Sequence, residues 1–384
     1  MSRGLGPMDS RSQAAVLVRT GADAGFELRD FPLPQLGPDD GLLRVDLCGV
    51  CGSDYRRFRG DRADAGPDVD RQDRRLLPAI LGHEIVGTIA ALGAQAARTW
   101  GVREGDRVFV ESSVPCQRCR ACVTGRSKEC RQRWSYGLSA DLAEPPHLWG
   151  GFAQYVYLHP RVILHRLPDS LPTEAAVLVS PLSNGFQWAY TAPQLRYGDA
   201  VLVVGPGQQG LGCVAAARAA GAGLIMVSGL ERDAPRLELA RRLGADVTIV
   251  ADRESVYERV REATGGALAD VVVEVSGSPA AQRELTRLVR RGGTIVWAGG
   301  SGRPAVEMPM DDVVHRALTI RGVRAHDYDA IDQAIALLDR GTLPVREMTT
   351  HVVPLAEAER AVRLAGNEWP AERAIHVSLN PWAP

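Results

Sequence analysis

An apolar, β-branched strand that runs into a glycine turn and out into a helix leaves a chain few folds to choose from. Residues 201–212 read VLVVGPGQQGLG, a strand ending in Gly205, Gly207 and Gly210 before a helix that begins near Leu211. Glycine at these places permits a tight turn and close approach of backbone to a ligand, and the free amides of the helix N-terminus suit a pyrophosphate. The G-x-G-x-x-G pattern alone says little, so its surroundings decide. They repeat the theme: from Glu174 to about residue 323 the runs VLVVG, LIMVSG, VTIV, VVVEVSG, TIVWAGG and LTIRG alternate with helical stretches such as GCVAAARAAGA and PRLELARRLGA. Such alternation is the signature of a parallel sheet covered on both faces, an α/β doubly wound domain.

Before residue 173 the texture is different. Short apolar runs, among them GLLRVDLCGVCGSD, EIVGTIAALG, GDRVFV and GGFAQYVYLHP, are closed by Gly, Pro or Asp, which reads as a mostly β domain. A length of 384 residues exceeds what one hydrophobic core usually holds. The expected organisation is a β-rich domain over 1–173, the doubly wound domain over 174–323, and a tail over 324–384 that returns to the first. The charged, Pro- and Gly-broken segment 59–76 reads as a solvated loop. With 45% apolar and 24% charged residues and a formal charge of -1, the chain has no global field to draw it to nucleic acid or a membrane, so small-molecule partners are expected. It offers no apolar window of membrane-spanning length and no apolar core for a signal peptide in its first ten residues, which suggests a cytoplasmic address.

Four of the seven cysteines fall within CQRCRACVTGRSKEC, at Cys116, Cys119, Cys122 and Cys130. In a reducing compartment such a cluster binds metal more readily than it forms disulfides. The C-x2-C-x2-C-x7-C spacing aims four thiolates at one point, and it differs from the ferredoxin C-x2-C-x2-C-x3-C-P run, so zinc is favoured over an iron–sulfur cluster. Basic residues around it (Arg118, Arg120, Arg126, Lys128, Arg131, Arg133) raise a nucleic-acid finger as a rival. The spacing is not that of a two-Cys, two-His finger, and the positive charges offset a site that is dianionic once four thiolates meet Zn²⁺. Four protein ligands close the coordination sphere. This zinc is therefore structural, and chemistry needs a second position left open.

Two stretches supply candidates: CGVCGSD, with Cys51, Ser53 and Asp54, and LPAILGHEIVG, with His83 and Glu84. Read singly, Cys48 and Cys51 could be a redox pair and His83 a core histidine. In order along the chain, however, CGVCGSD, LGHEIVG, EGDRV, the four-cysteine lobe, the glycine loop, DVVVEVSG and RRGGTIVWAG resemble the zinc-containing medium-chain dehydrogenase/reductase family, the alcohol, polyol and threonine dehydrogenase group, over nearly the whole length. The resemblance implies a GroES-like β-rich catalytic domain carrying both zincs and a Rossmann domain carrying NAD or NADP. It implies Cys51 and His83 as ligands of a catalytic zinc and Glu84 as a carboxylate beside or on the metal. Asp54 becomes the acceptor that orients His83, and Ser53 the hydroxyl that passes the alcohol proton away. Around the dinucleotide it places Gly205, Gly207, Gln208, Gln209, Gly210, Gly229, Glu231, Arg232, Arg236 and Ser276. Cys48 and Cys213 are then ordinary buried thiols.

Three departures accompany the matches. Where the family supplies a third zinc ligand, this chain reads VLVSPLSNG, with Ser180 in the place. Either Glu84 completes the sphere with a water, or the site binds zinc weakly, or it is empty and the chemistry is zinc-free. Where a relay histidine often stands there is Arg56, which stays protonated and cannot shuttle protons but can hold a ribose hydroxyl or an anionic substrate, so the relay would pass from Ser53 through the ribose to water. At the end of the second Rossmann strand, where an acid takes the ribose hydroxyls of NAD, the chain has Gly229. Glu231 or Asp233 would serve NAD and Arg232 or Arg236 the extra phosphate of NADP; the family's habit favours NAD. The expected function is hydride transfer between a nicotinamide cofactor and a secondary alcohol or ketone, polyol-like or of specialised metabolism, in a homodimer or homotetramer. The alternatives are a zinc-free reductase, a redox-neutral epimerase or lyase, and a non-catalytic dinucleotide sensor. Tyr55, Trp149, Phe186 and Trp188 are candidates for substrate-pocket walls.

Overall fold

Strands buried on both faces need no polar alternation, and the six apolar runs of the second half all form strands of one parallel sheet. A computed structural model describes residues 10–61, 77–300 and 305–384; most of the 59–76 segment read as a loop lies outside the described residues. The parallel sheet runs in the order Val247–Val250, Leu224–Gly229, Ala200–Val204, Ala269–Glu274, Val289–Trp297, Thr319–Gly322. Strand order reverses between Ala200–Val204 and Ala269–Glu274, where a doubly wound sheet opens its ligand crevice. The helix after the glycine loop is Gln208–Ala219, so it starts one turn earlier than the expected Leu211, with Gly207 as its N-cap.

This unit is Leu178–Met348. It opens on Val179–Gly185, every residue of which is buried, continued by a π-helical turn at Phe186–Thr191. Gly185 and Gly212 let this helix cross the dinucleotide helix with backbone in contact: a Cβ on Gly185 would collide with Gly212 O, and one on Gly212 with Pro181 O. The unit also extends past the boundary at 323 expected from the sequence. Trp188 Nε1 donates to Ala325 O (2.9 Å) and Asp327 N to Gln187 Oε1 (3.2 Å), tying the segment after the last strand to the π-turn. The helix Tyr328–Arg340 then packs on Val179–Gly185. Its amphipathic pattern announces a helix without saying which core it joins.

The other unit ends at Val177 and resumes at Thr349–Pro384. A small sheet orders Gly25–Pro32, Arg11–Arg19 and Ala79–Ile80. A larger one runs Leu164–Arg166, Arg107–Val110, Glu84–Leu92, Gly41–Gly49, His376–Asn380, Thr349–Pro354, with Tyr155–Leu158 also on Gly41–Gly49. The last two strands of the main path come from the C-terminal return. The central strand therefore has Glu84 opposite Gly49 on one side and Ser378 opposite Gly49 on the other. This register brings residues from both ends of the chain over one glycine.

Candidate functional site

The helix Gly52–Phe58 begins on Cys51, whose amide donates to Asp54 Oδ2 (2.9 Å), so the carboxylate three residues on closes the first turn. Asp54 is fully buried and turns its other oxygen to His83 Nδ1 at 3.5 Å, an ion-pair distance longer than a tight hydrogen bond. Nδ1 thus faces Asp54, and Nε2 faces Ser53 Oγ at 3.4 Å. Burial alone would lower the His83 pKa, but the Asp54 carboxylate and the Cys51 sulfur outweigh it and hold the imidazole well above the ordinary histidine range.

Glu84 is buried too. Its Oε2 lies 3.3 Å from His376 Nε2, and a Cβ on Gly49 would collide with both side chains, so the glycine of the central strand makes the room in which they meet. Glu84 Oε1 and His83 Nδ1 are buried without a hydrogen-bond partner. Cys51 Sγ, a His83 ring nitrogen and a Glu84 oxygen all lie within 4.8 Å of one another. A buried anion with an orphaned oxygen beside a thiol and an imidazole is a donor set that suits zinc. Ser180 belongs to the other unit, buried in Val179–Gly185, and Arg56 is exposed on the helix Gly52–Phe58. Neighbouring Arg57 is buried, its guanidinium donating to Leu138 O at 2.6 Å, and so ties that helix to the loop beyond the cysteine lobe. Cys48 is fully buried, and burial with the charges of Asp54 and Glu84 pushes its thiol well above the usual range, as suits an inert packing residue.

Cys116, Cys119, Cys122 and Cys130 form the second group whose ligand atoms converge. The Cys119–Cys122 and Cys116–Cys122 sulfurs are 3.5 and 3.9 Å apart. Tetrahedral thiolates about 2.3 Å from a zinc ion stand about 3.8 Å from each other, so the cage fits that ion and is too open for a disulfide. The backbone amides of Arg118 and Cys119 draw Cys116 down to about 6, while burial and the adjacent sulfurs push Cys122 up to about 12. Packed thiols that cannot all ionise together await a cation.

In the dinucleotide loop the three glycines divide their reasons. Gly205 has φ +108 and sits where a Cβ would be 2.9 Å from Ser276. A Cβ on Gly210 would collide with Gly205 O, whereas one on Gly207 would meet no protein atom within 4 Å. The fold requires the first and third; the second faces open space, where a ligand has room to approach the backbone. Ser276 is held by Glu274, a fully buried carboxylate accepting from Ser276 N (2.8 Å), Ser276 Oγ (2.5 Å), Gly277 N (2.9 Å) and Gln282 Nε2 (3.1 Å). Gln209 accepts from Asn184 Nδ2 at 3.0 Å, and Asn184 Oδ1 meets His326 Nδ1 at 2.9 Å; Gln208 Nε2 is buried without a partner. Beyond Gly229, Glu231 pairs with Arg253, Asp233 with Arg236, and Arg232 is exposed.

Of the suggested pocket walls, Trp149 stacks edge-on against Trp134 and Tyr157, and Tyr55 packs at Gly366. Phe186 and Trp188 are buried in the π-turn. Sequence reading missed His376, Glu274, Asn184 and His326. For Glu274 there was a signal: a carboxylate inside the β-branched run DVVVEVSG must find buried donors. His376 offers none, standing 292 residues from Glu84.

Residues 37–169 match the family model of the alcohol dehydrogenase GroES-like domain and residues 210–340 that of the zinc-binding dehydrogenase. The chain is 39% identical over 363 residues to a protein of Mycobacterium tuberculosis named probable alcohol dehydrogenase, covering 92% of this chain and 95% of that one. The chain belongs to the zinc-containing medium-chain alcohol dehydrogenase family. It is 30% identical to the erythritol/L-threitol dehydrogenase of Mycolicibacterium smegmatis, over 93% of this chain and 94% of that one. A protein of Sinorhizobium meliloti 1021 solved bound to NADP superposes with a TM-score of 0.82 at 26% identity, covering 97% of this chain and all of that one. This family member is an oxidoreductase acting on alcohols, and no helix among its described residues is long and apolar enough to cross a membrane.

Three outcomes follow from these geometries. Gly210→Ala should lower stability by about 1–3 kcal/mol in denaturant unfolding, since its methyl group meets backbone. Gly207→Ala should unfold like the parent yet bind NADH and NADPH at least tenfold more weakly by calorimetry; unchanged affinity for both would remove the loop from the cofactor site. Cys116→Ser or Cys130→Ser should lose one zinc per chain by elemental analysis together with thermal stability. A variant with parental zinc content and melting temperature would show that the lobe holds no metal.

Proposed function

We propose that the first unit holds a catalytic zinc on Cys51, His83 and Glu84, and that the protein oxidises a secondary alcohol, polyol-like in character, by hydride transfer to a nicotinamide dinucleotide bound at the glycine loop. The observation that carries this is the convergence of a thiol, an imidazole and an orphaned buried carboxylate oxygen. Three protein ligands leave a position open. When bound there, zinc supplies Lewis acidity that lowers the pKa of an alcohol or polarises a carbonyl. The protein's residues do the rest. Asp54 takes the Nδ1 side of His83 and fixes which nitrogen faces outward. Ser53, half-buried beside that nitrogen, is placed to accept and pass on the alcohol proton. Arg56 stays charged and exposed, so it serves as no proton acceptor and the relay ends at Ser53 and solvent.

In the second unit, the amides of the Gln208–Ala219 N-terminus and the open space at Gly207 favour the pyrophosphate, with the Glu274-anchored Ser276 turn closing the other side of the loop. The NADP-bound relative from Sinorhizobium meliloti supports the same class of cofactor, and the curated relatives named for alcohols and for erythritol support the substrate class. The protein acts as a homo-oligomer in this reading. Thr319–Gly322 ends its sheet with all four residues exposed, and Met310 and Val314 on the preceding helix are exposed as well. An open strand edge with apolar neighbours is a template for a second copy.

Glu84→Gln keeps shape and removes charge. It should cost one zinc per chain and abolish alcohol-dependent NAD(P)H formation, while Ser180→Ala keeps its metal. If Ser180→Ala empties the site and Glu84→Gln does not, the hydroxyl is the ligand. Ile320→Lys should shift the mass measured by light scattering toward the monomer; a parental mass would move the contact elsewhere.

A further inference from the structure

The end of the second Rossmann strand is where an acidic residue usually selects NAD, by accepting the adenosine ribose hydroxyls. Here that residue is Gly229, and the reason lies in the loop it faces. A Cβ on Gly229 would stand 2.7 Å from Pro206 Cγ and 3.3 Å from Leu237 Cδ2. Proline between the first two loop glycines has taken the space an aspartate or glutamate side chain would need at its root. The acid must come from elsewhere or not at all.

Two acids follow in the turn, and both have other employment. Asp233 is buried, accepts from Leu230 N (3.1 Å) to close the helix entry, and accepts from Arg236 Nη1 (3.3 Å). Glu231 points its carboxylate to Arg253, which donates through both Nε and Nη2, and its own amide donates to Asp252 Oδ1 (2.9 Å). Asp252 and Arg253 follow Val247–Val250, which lies on the far side of Leu224–Gly229 from the glycine loop. Backbone and side chain thus draw Glu231 toward the third strand, away from the first. What the turn presents in their place is Arg232, exposed and with no hydrogen bond or ion pair among the described residues. Arg236 is half-buried and already paired with Asp233, so Arg232 is the guanidinium this turn leaves open to solvent. An exposed guanidinium with no carboxylate of its own is a donor set that suits a phosphate dianion.

We infer that the adenosine end of this site selects NADP over NAD, with Arg232 holding the ribose 2′-phosphate and Gly229 leaving no acid to reward a free 2′-hydroxyl. The inference rests on the dinucleotide reading of the glycine loop and makes the opposite choice from the family's habit.

The test is equilibrium binding of NADPH and NADH to the full-length, zinc-loaded protein, followed by nicotinamide fluorescence, with adenosine 2′,5′-bisphosphate and 5′-AMP as competitors. NADPH should bind at least about tenfold more tightly than NADH, a preference of the size a charge-assisted phosphate contact supplies. Adenosine 2′,5′-bisphosphate should displace it better than 5′-AMP. Arg232→Ala should lose about tenfold or more in NADPH affinity while NADH changes less than about threefold, and Arg232→Lys should recover part of the loss. Equal or tighter NADH binding by the parent, or an equal loss of both dinucleotides in Arg232→Ala, overturns the inference and leaves the cofactor loop standing. If neither dinucleotide binds, the reading of the loop itself falls, and the inference with it.

Discussion

A carboxylate taken fully out of water must be answered by donors or opposite charge, and three such groups organise this protein. Asp54 answers its own helix start and faces His83. Glu84 meets His376 across a glycine, with one oxygen left over. Glu274 gathers two amides, a hydroxyl and a carboxamide at the mouth of the parallel sheet. Each is fully buried. Glu84 opens its strand, Glu274 closes its own and Asp54 stands in the first turn of its helix, where the element fixes the backbone and leaves the side chain to shape a site. Two of them stand at the candidate cation site and the third in a turn that backs the glycine loop.

The remaining anionic centre has no carboxylate. Four thiols on short turns converge at spacings that suit a zinc ion. Metal binding at such a cluster releases the thiol protons. The two candidate centres differ in kind: the cage is closed by its four sulfurs, whereas Cys51, His83 and Glu84 leave a position free. That difference separates a site that holds a lobe together from one that can meet a substrate.

Much of this was legible in the sequence, for physical reasons that differ by region. Strands covered on both faces are continuous apolar runs and could be read directly, whereas the exposed edge strand Thr319–Gly322 was legible from its place in the alternating series. The glycine loop and the cysteine lobe are local, and local spacing carries their geometry. Gly49 and His376 were not legible, because their meaning depends on which strands flank Gly41–Gly49, a fact of topology. Tyr328–Arg340 was legible as a helix, yet its placement with the second unit depends on Trp188 and Gln187 reaching across to Ala325 and Asp327. Gly229 carried a signal in its glycine, but only Pro206 packed against it explains why no acid stands there.

In the proposed site Glu84 takes the place of the family's third ligand and so lets this chain keep a second, open zinc. Elemental analysis of the unmodified protein, purified with zinc supplied and dialysed free of loosely held metal, addresses it most directly. Two zinc ions per chain are expected, one in the cysteine cage and one on Cys51, His83 and Glu84. A single ion per chain would contradict the account and turn attention to zinc-free chemistry on the same fold.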